Sequence, residues 1–215
     1  MQPFKIVKSG AQEFIGKFLT HSELSEIPQC ISNAYAAVDN VYKTTPALGM
    51  FMIGFDLRPH LLRVFVEHSL QKYSDNHDAF THEVRPNTAK NCNHLRLYKD
   101  GLAITAHYMG AKCERPEARK ALHKANLSER NGDLFAFENQ ETDTFKNIAY
   151  AQIMHGGVSK PNNILINIPS RDQLSIIGSM SLIIPAEIKV QVEQIIDETP
   201  FKLKETLEEL QSGTS

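Results

Sequence analysis

The stretch that decides the fold is NHLRLYKDGLAITAHY, residues 93–108. At its centre, Asp100 and Gly101 are residue types that adopt the positive φ angles of a tight type I′ turn. The runs on either side alternate between apolar and polar residues, as strands do. We therefore predict a β-hairpin whose two strands are joined by this two-residue turn.

Alternation along these strands gives the hairpin an apolar face and a polar face. With a two-residue turn, Lys99 pairs with Leu102, and the ladder continues until His94 lies opposite His107. The residues of the apolar face are Leu95, Leu97, Ile104 and Ala106. The residues of the polar face are His94, Arg96, Tyr98, Thr105 and His107. This polar face is the candidate functional surface of the chain.

The residues before the hairpin have helical periodicity over most of 1–80. Ser25 is a candidate cap for a long helix that Pro46 ends, and Asp56 is a candidate cap for the next helix. Residues 47–55 form a short apolar run whose periodicity does not distinguish helix from strand.

The residues around and after the hairpin alternate as strands and then return to helical spacing. We expect an α+β fold: an antiparallel sheet of about five or six strands with N-terminal helices, one inserted helix and two C-terminal helices. We expect a single domain over 1–210 and a disordered tail, 211–215. The predicted segments are a largely helical part at 1–80, a sheet at 81–184 with its inserted helix at 115–130, and a helical part at 185–210.

Composition indicates an ordinary globular protein, because 41% of the residues are hydrophobic and 22% are charged. The N-terminus lacks the pattern of a signal peptide, and the longest uncharged runs, 44–55 and 173–186, are too short to span a membrane. The three cysteines, Cys30, Cys92 and Cys113, are far apart, as is typical of reduced thiols. We therefore expect a soluble cytoplasmic protein without membrane contact.

The net charge of −2 hides an uneven distribution. Lys and Arg outnumber Asp and Glu by 10 to 5 in residues 83–130, whereas the ratio is 6 to 12 in residues 131–215. A local excess of positive charge around the hairpin favours a phosphate-bearing partner.

The preferred functional hypothesis is therefore a nucleic-acid-binding or phosphate-binding module that uses the hairpin and the basic inserted helix. Arginine would contact phosphates through its forked donors, lysine through its point charge, and an exposed tyrosine would stack on bases. The candidate binding residues are Arg96, Tyr98, Thr105, Arg115, Arg119, Lys120, His123 and Lys124.

Two alternatives belong to other classes. In the first, His94 and His107 form the acid–base pair of a metal-independent phosphodiester hydrolase, because imidazole titrates near neutral pH. In the second, the amphipathic segment 199–210 pairs with a protein partner or a second copy of the chain. No ligand set has a recognised metal spacing, so no metal site or cofactor is predicted. No motif points to a known family.

Overall fold

The computed structural model of the chain describes residues 8–50, 52–86, 92–110, 149–170 and 176–183. In these ranges the helices are α1 (Lys8–Gly16), α2 (His21–Thr44), α3 (Pro46–Met50) and α4 (Met52–His77). The strands are β1 (Thr81–Pro86), β2 (Asn93–Lys99), β3 (Leu102–Tyr108), β4 (Ala149–Gly157), β5 (Pro161–Pro169) and β6 (Ile176–Ser181). Helices before a sheet confirm the predicted α+β class.

Helix α2 begins earlier than the Ser25 cap predicts. Thr20 is the N-cap: its hydroxyl accepts from the Glu23 amide at 3.3 Å, and its own amide donates to the Glu23 carboxylate at 2.8 Å. This reciprocal capping box satisfies two backbone donors at the helix start. Glu23 is buried, and it also forms an ion pair with Lys99 at the end of β2. The same carboxylate therefore starts the helix and attaches it to the sheet.

Within the apolar run, residues 47–50 and 52–55 are helical, so Asp56 lies within α4 instead of capping it. The short helix α3 precedes α4, and the two meet at Gly54. A Cβ atom added to Gly54 would lie 2.1 Å from the carbonyl oxygen of Leu48. The missing side chain therefore allows α3 to fold tightly against the start of α4.

The described strands form one six-stranded sheet in the order β1-β2-β3-β4-β5-β6. Neighbouring strands are antiparallel with one exception, since β3 and β4 run parallel, from Leu102 opposite Ala149 to Tyr108 opposite His155. The sheet is therefore mixed, and the expectation of a purely antiparallel sheet is wrong. Parallel neighbours need a crossover connection between them, which the long chain segment from β3 to β4 allows.

The hairpin of β2 and β3 has the predicted turn. Asp100 and Gly101 have φ angles of 49° and 85°, as a type I′ turn requires. The ladder pairs Lys99 with Leu102 and ends at Leu97 opposite Ile104. The predicted continuation of the ladder toward the two histidines is wrong, because the first half of β2 pairs with β1 but not with β3.

The main core lies between one face of the sheet and helices α1, α2 and α4. It confirms the apolar face of the hairpin, whose four predicted residues all belong to it. The helices contribute the fully buried side chains Ile15, Ile27, Ile31, Tyr35, Leu62 and Val66. The sheet contributes Leu102, Ile104, Ile153, Ile164 and Ile166. Each such side chain contributes roughly 1.5–3 kcal/mol through the apolar area it removes from water. The opposite face of the sheet carries polar side chains together with a small hydrophobic cluster of Ala103, Tyr150 and Tyr98.

The inserted helix at 115–130, the C-terminal helices at 185–210 and the tail at 211–215 lie outside the described residues. The single-domain division and the cytoplasmic location stay predictions. Within the described part of the chain, no helix has the length and hydrophobicity that crossing a membrane requires.

Candidate functional site

A row of polar side chains crosses the sheet on the face opposite the helices, and each of the six strands supplies one of them. Ladder partners join the members of this row, except between β2 and β3, where the strands separate. We call it the polar row. Its members, from β1 to β6, are Glu83, Arg96, Thr105, Gln152, Asn167 and Ser179.

Glu83 organises the first end of the polar row. Its carboxylate accepts a hydrogen bond from the hydroxyl of Tyr98, pairs with Arg85 at 2.7 Å and lies 3.5 Å from the Arg96 guanidinium. Burial alone would raise the pKa of Glu83, but the hydrogen bonds from Tyr98 and Arg85 outweigh it, and the pKa lies below its usual value. Glu83 is therefore a carboxylate that holds Arg96 and Tyr98 in place.

Arg96 has more donors than acceptors around it. Its side chain is only 13% exposed, and its Nε atom is buried without a hydrogen-bond partner among the described residues. A guanidinium has five N–H donors and no acceptor. The ion pair with Glu83 at 3.5 Å is long and leaves much of this donor capacity to an anion.

A chain of hydrogen bonds occupies the centre of the polar face. Thr105 Oγ1 lies 2.6 Å from His107 Nε2 and 2.7 Å from the Tyr150 hydroxyl, which also accepts from Gln152 Nε2 at 3.2 Å. Burial raises the pKa of Tyr150, so its hydroxyl is protonated near neutral pH. At the β6 end of the polar row, the Ser179 hydroxyl donates a hydrogen bond to Asn167 Oδ1 at 2.7 Å.

Comparison with protein-family models, with curated proteins and with solved structures gave no match to this chain. The geometry of the polar face is therefore the basis for assigning it a function.

Four of the predicted hairpin residues lie together on this face: Arg96, Tyr98, Thr105 and His107. His94 has different surroundings, since its Nδ1 atom lies 3.5 Å from the Arg63 guanidinium and 3.7 Å from the Glu67 carboxylate, both on α4. The two histidines are thus not ladder partners.

The other predicted binding residues lie outside the described part of the chain. They are Arg115, Arg119, Lys120, His123 and Lys124. Their roles stay predictions.

Sequence reasoning missed the members of the polar row on β1, β4, β5 and β6. One signal was present in β4, where Tyr150 and Gln152 alternate with the buried apolar residues Ala149, Ala151 and Ile153. Their position beside Thr105 depends on the parallel pairing of β3 with β4, which strand alternation does not indicate.

Metal binding has no support in the described ranges. No group of three or more His, Cys, Asp or Glu side chains there is arranged to hold an ion.

Proposed function

We propose that this chain binds single-stranded nucleic acid through phosphate contacts on the polar face of its sheet. The observation that carries the proposal is Arg96, a mostly buried guanidinium whose Nε has no partner among the described residues. A phosphate oxygen would supply the missing acceptors and compensate the buried positive charge.

The surroundings of Arg96 suit this ligand. Arg85 is 61% exposed at the edge of the same face and offers a second cation at the entrance. Tyr98 is partly exposed beside them, and an aromatic ring next to two guanidinium groups suits a base attached to its phosphate. Residues 83–130 contain 10 basic and 5 acidic residues, and this excess of positive charge attracts phosphates at long range.

We propose a single strand instead of a duplex because the centre of the polar row is buried. Thr105 and Gln152 are 4% and 5% exposed, so a rigid double helix could not reach them. A flexible strand can instead contact the exposed edge with one or two phosphates at a time.

The test is the affinity for a short fluorescent single-stranded oligonucleotide, measured by anisotropy at low and high ionic strength. We expect binding that weakens with salt and that Arg96→Gln lowers by roughly 10- to 100-fold, the loss of hydrogen bonds to a charged group. Arg63→Gln is the matched control, since Arg63 lies on α4 and should leave the affinity nearly unchanged. Absence of binding, or an equal loss in both variants, would contradict the proposal.

The same experiments distinguish the two alternatives. The hydrolase would be favoured if the chain cleaves the oligonucleotide with a bell-shaped pH profile and if His94→Ala and His107→Ala each abolish the cleavage. The assembly module would be favoured if the chain does not bind the oligonucleotide and if truncating the chain after Asp197 changes its sedimenting mass.

A further inference from the structure

Strand β1 lies at an edge of the sheet. It pairs with β2 along its whole length, and no other described strand pairs with it. It is also the most exposed of the described strands, since Thr81, Val84, Arg85 and Pro86 are exposed and the other two residues are half-buried. The backbone N–H and C=O groups along such an edge are able to pair with a strand of another chain.

Charged residues and proline usually protect an edge strand against such pairing. In β1 the charged residues are Glu83 and Arg85, which have opposite signs and stand two positions apart. They therefore share the polar face, where they form an ion pair at 2.7 Å. A strand with this pattern is complementary to an antiparallel copy of itself, because each Glu83 can lie opposite the partner's Arg85.

This complementarity selects one register. A two-fold axis perpendicular to the sheet keeps each face of the two sheets on its own side, so residues opposite each other share a face. With the axis at Val84, both Glu83–Arg85 contacts between the chains form. Moving the axis by one residue in either direction places two Glu83 or two Arg85 side chains opposite each other, and like charges in that position are destabilising.

The other face of β1 fits the same axis. Val84 lies opposite the core residue Leu95 in the ladder, and so on the helix side of the sheet, yet it is 54% exposed. With the axis at Val84, the Val84 side chains of the two chains lie opposite each other, with Cβ atoms about 4.5–5.5 Å apart. Each removes apolar surface of the other from water, which favours association.

We propose that two copies of this chain associate through antiparallel pairing of β1, with the two-fold axis at Val84. The pairing joins the two described six-stranded sheets into one continuous sheet. Main-chain hydrogen bonds supply the affinity of such strand pairing, and the side chains of Glu83, Val84 and Arg85 supply its register.

The dimer has a consequence for the polar face. The polar rows of the two chains become continuous, and the two Arg96 side chains lie roughly 15 Å apart, because three strand spacings separate them. Arg85 has five N–H donors, so it can pair with a carboxylate of each chain and still offer a donor to a phosphate. This consequence rests on the proposed nucleic-acid binding, whereas the dimer itself does not.

Sedimentation of the natural chain measures the association, and we expect twice the mass of one chain. Glu83→Arg and Arg85→Glu each place like charges opposite each other, so each variant alone should have a dissociation constant raised roughly tenfold or more. An equal mixture of the two variants restores both opposite-charge contacts between unlike chains and should restore the double mass. Thermal melts of each variant exclude unfolding as the cause of dissociation.

Val84→Cys tests the position of the axis. Side chains at the expected separation can form a disulfide, so mild oxidation should link two chains through residue 84. Val158→Cys is the matched control, because Val158 is 55% exposed but lies between β4 and β5. It should link chains no better than the natural sequence, whose own three cysteines set the background.

A natural chain that sediments as a monomer at every concentration measured would overturn the proposal. So would a dimer that neither charge variant weakens, or a Val84→Cys chain that links no better than Val158→Cys. Truncation after Asp197 should leave the dimer intact, so a dimer that dissociates only on this truncation would also overturn it. A dimer that responds as expected but binds no oligonucleotide would contradict the proposed nucleic-acid binding and support the β1 interface.

Discussion

His155 is a titratable residue that the fold keeps neutral. It lies on the helix side of β4 and is 1% exposed, with Nδ1 3.1 Å from the Tyr35 hydroxyl and its ring 5.8 Å from the rings of both Tyr35 and Tyr108. Burial lowers its pKa to about 3, because no bulk water solvates the charged form. His155 is therefore a packing residue at neutral pH.

Stability should consequently depend on pH through His155. Below the pKa of about 6.5 for an unperturbed histidine, the unfolded chain takes up a proton that the folded chain does not, so stability falls as pH falls. This single group should remove about 2 kcal/mol of the free energy of unfolding between pH 7.5 and pH 5.

Urea denaturation of the natural sequence and of His155→Phe at several pH values measures this loss. The Phe variant should lack the added pH dependence whatever its absolute stability. His60→Gln, on the exposed side of α4, is the control and should keep the natural profile. Parallel profiles for the natural sequence and His155→Phe would contradict the burial argument.

At the level of single residues, the sequence predicted part of the polar face. Alternation correctly placed Arg96, Tyr98, Thr105 and His107 together because it follows from local strand geometry. It misplaced His94, since its contacts come from Arg63 and Glu67, some thirty positions earlier in the chain. No local pattern contains that information.

At the level of elements, the turn between β2 and β3 allows a comparison of two glycines. A Cβ atom added at Gly101 or at Gly16 would meet no atom within 4 Å, so steric crowding is equal at the two sites. Their backbones differ, because Gly101 has a φ of 85° whereas Gly16, the last residue of α1, is outside the left-handed region.

We expect opposite signs for the two alanine substitutions. Gly101→Ala should lower the free energy of unfolding by roughly 1–2 kcal/mol, the cost of a side chain in the left-handed region. Gly16→Ala should raise it by about 0.4–1 kcal/mol by restricting the unfolded chain. Chemical denaturation of both variants measures the difference, and equal effects would show that the turn conformation does not determine the outcome.

Element boundaries were predictable where the deciding chemistry is local. The Asp100-Gly101 turn was predicted because both residues favour positive φ themselves. The start of α2 was misplaced although Thr20 and Glu23 have capping-box spacing, because Ser25 offers a similar local signal. The ion pair of Glu23 with Lys99 adds a contact with the sheet that favours Thr20.

At the level of the whole molecule, the parallel pairing of β3 and β4 was beyond prediction from the sequence. A two-residue turn forces its strands to be antiparallel, whereas residues 109–148 are long enough to allow either orientation. Strand patterns report which residues face the core but not the direction of the neighbouring strand. The location of the polar row therefore became visible only with the sheet assembled.

Arg58 connects three parts of the assembled molecule. From α4 it forms an ion pair with Asp39 on α2, and its Nη2 and Nε atoms donate to the carbonyl of Val158, between β4 and β5, at 2.8 and 3.0 Å. Its Cζ atom also lies 5.1 Å from the centre of the Tyr42 ring. A guanidinium can make these contacts together because it is planar and carries several donors.

Arg58→Met should therefore destabilise the chain by about 1–3 kcal/mol, since it keeps the apolar stem but removes the charge and the donors. Arg58→Lys should recover only part of this loss, because an ammonium cannot reproduce the fork or the stacking on Tyr42. Lys160→Met is the control from the same turn, and its exposed side chain should change stability by about 0.5 kcal/mol or less. If Arg58→Met and Lys160→Met have equal effects on urea denaturation, then the contacts of the sheet with α2 and α4 hold this end of the molecule without Arg58.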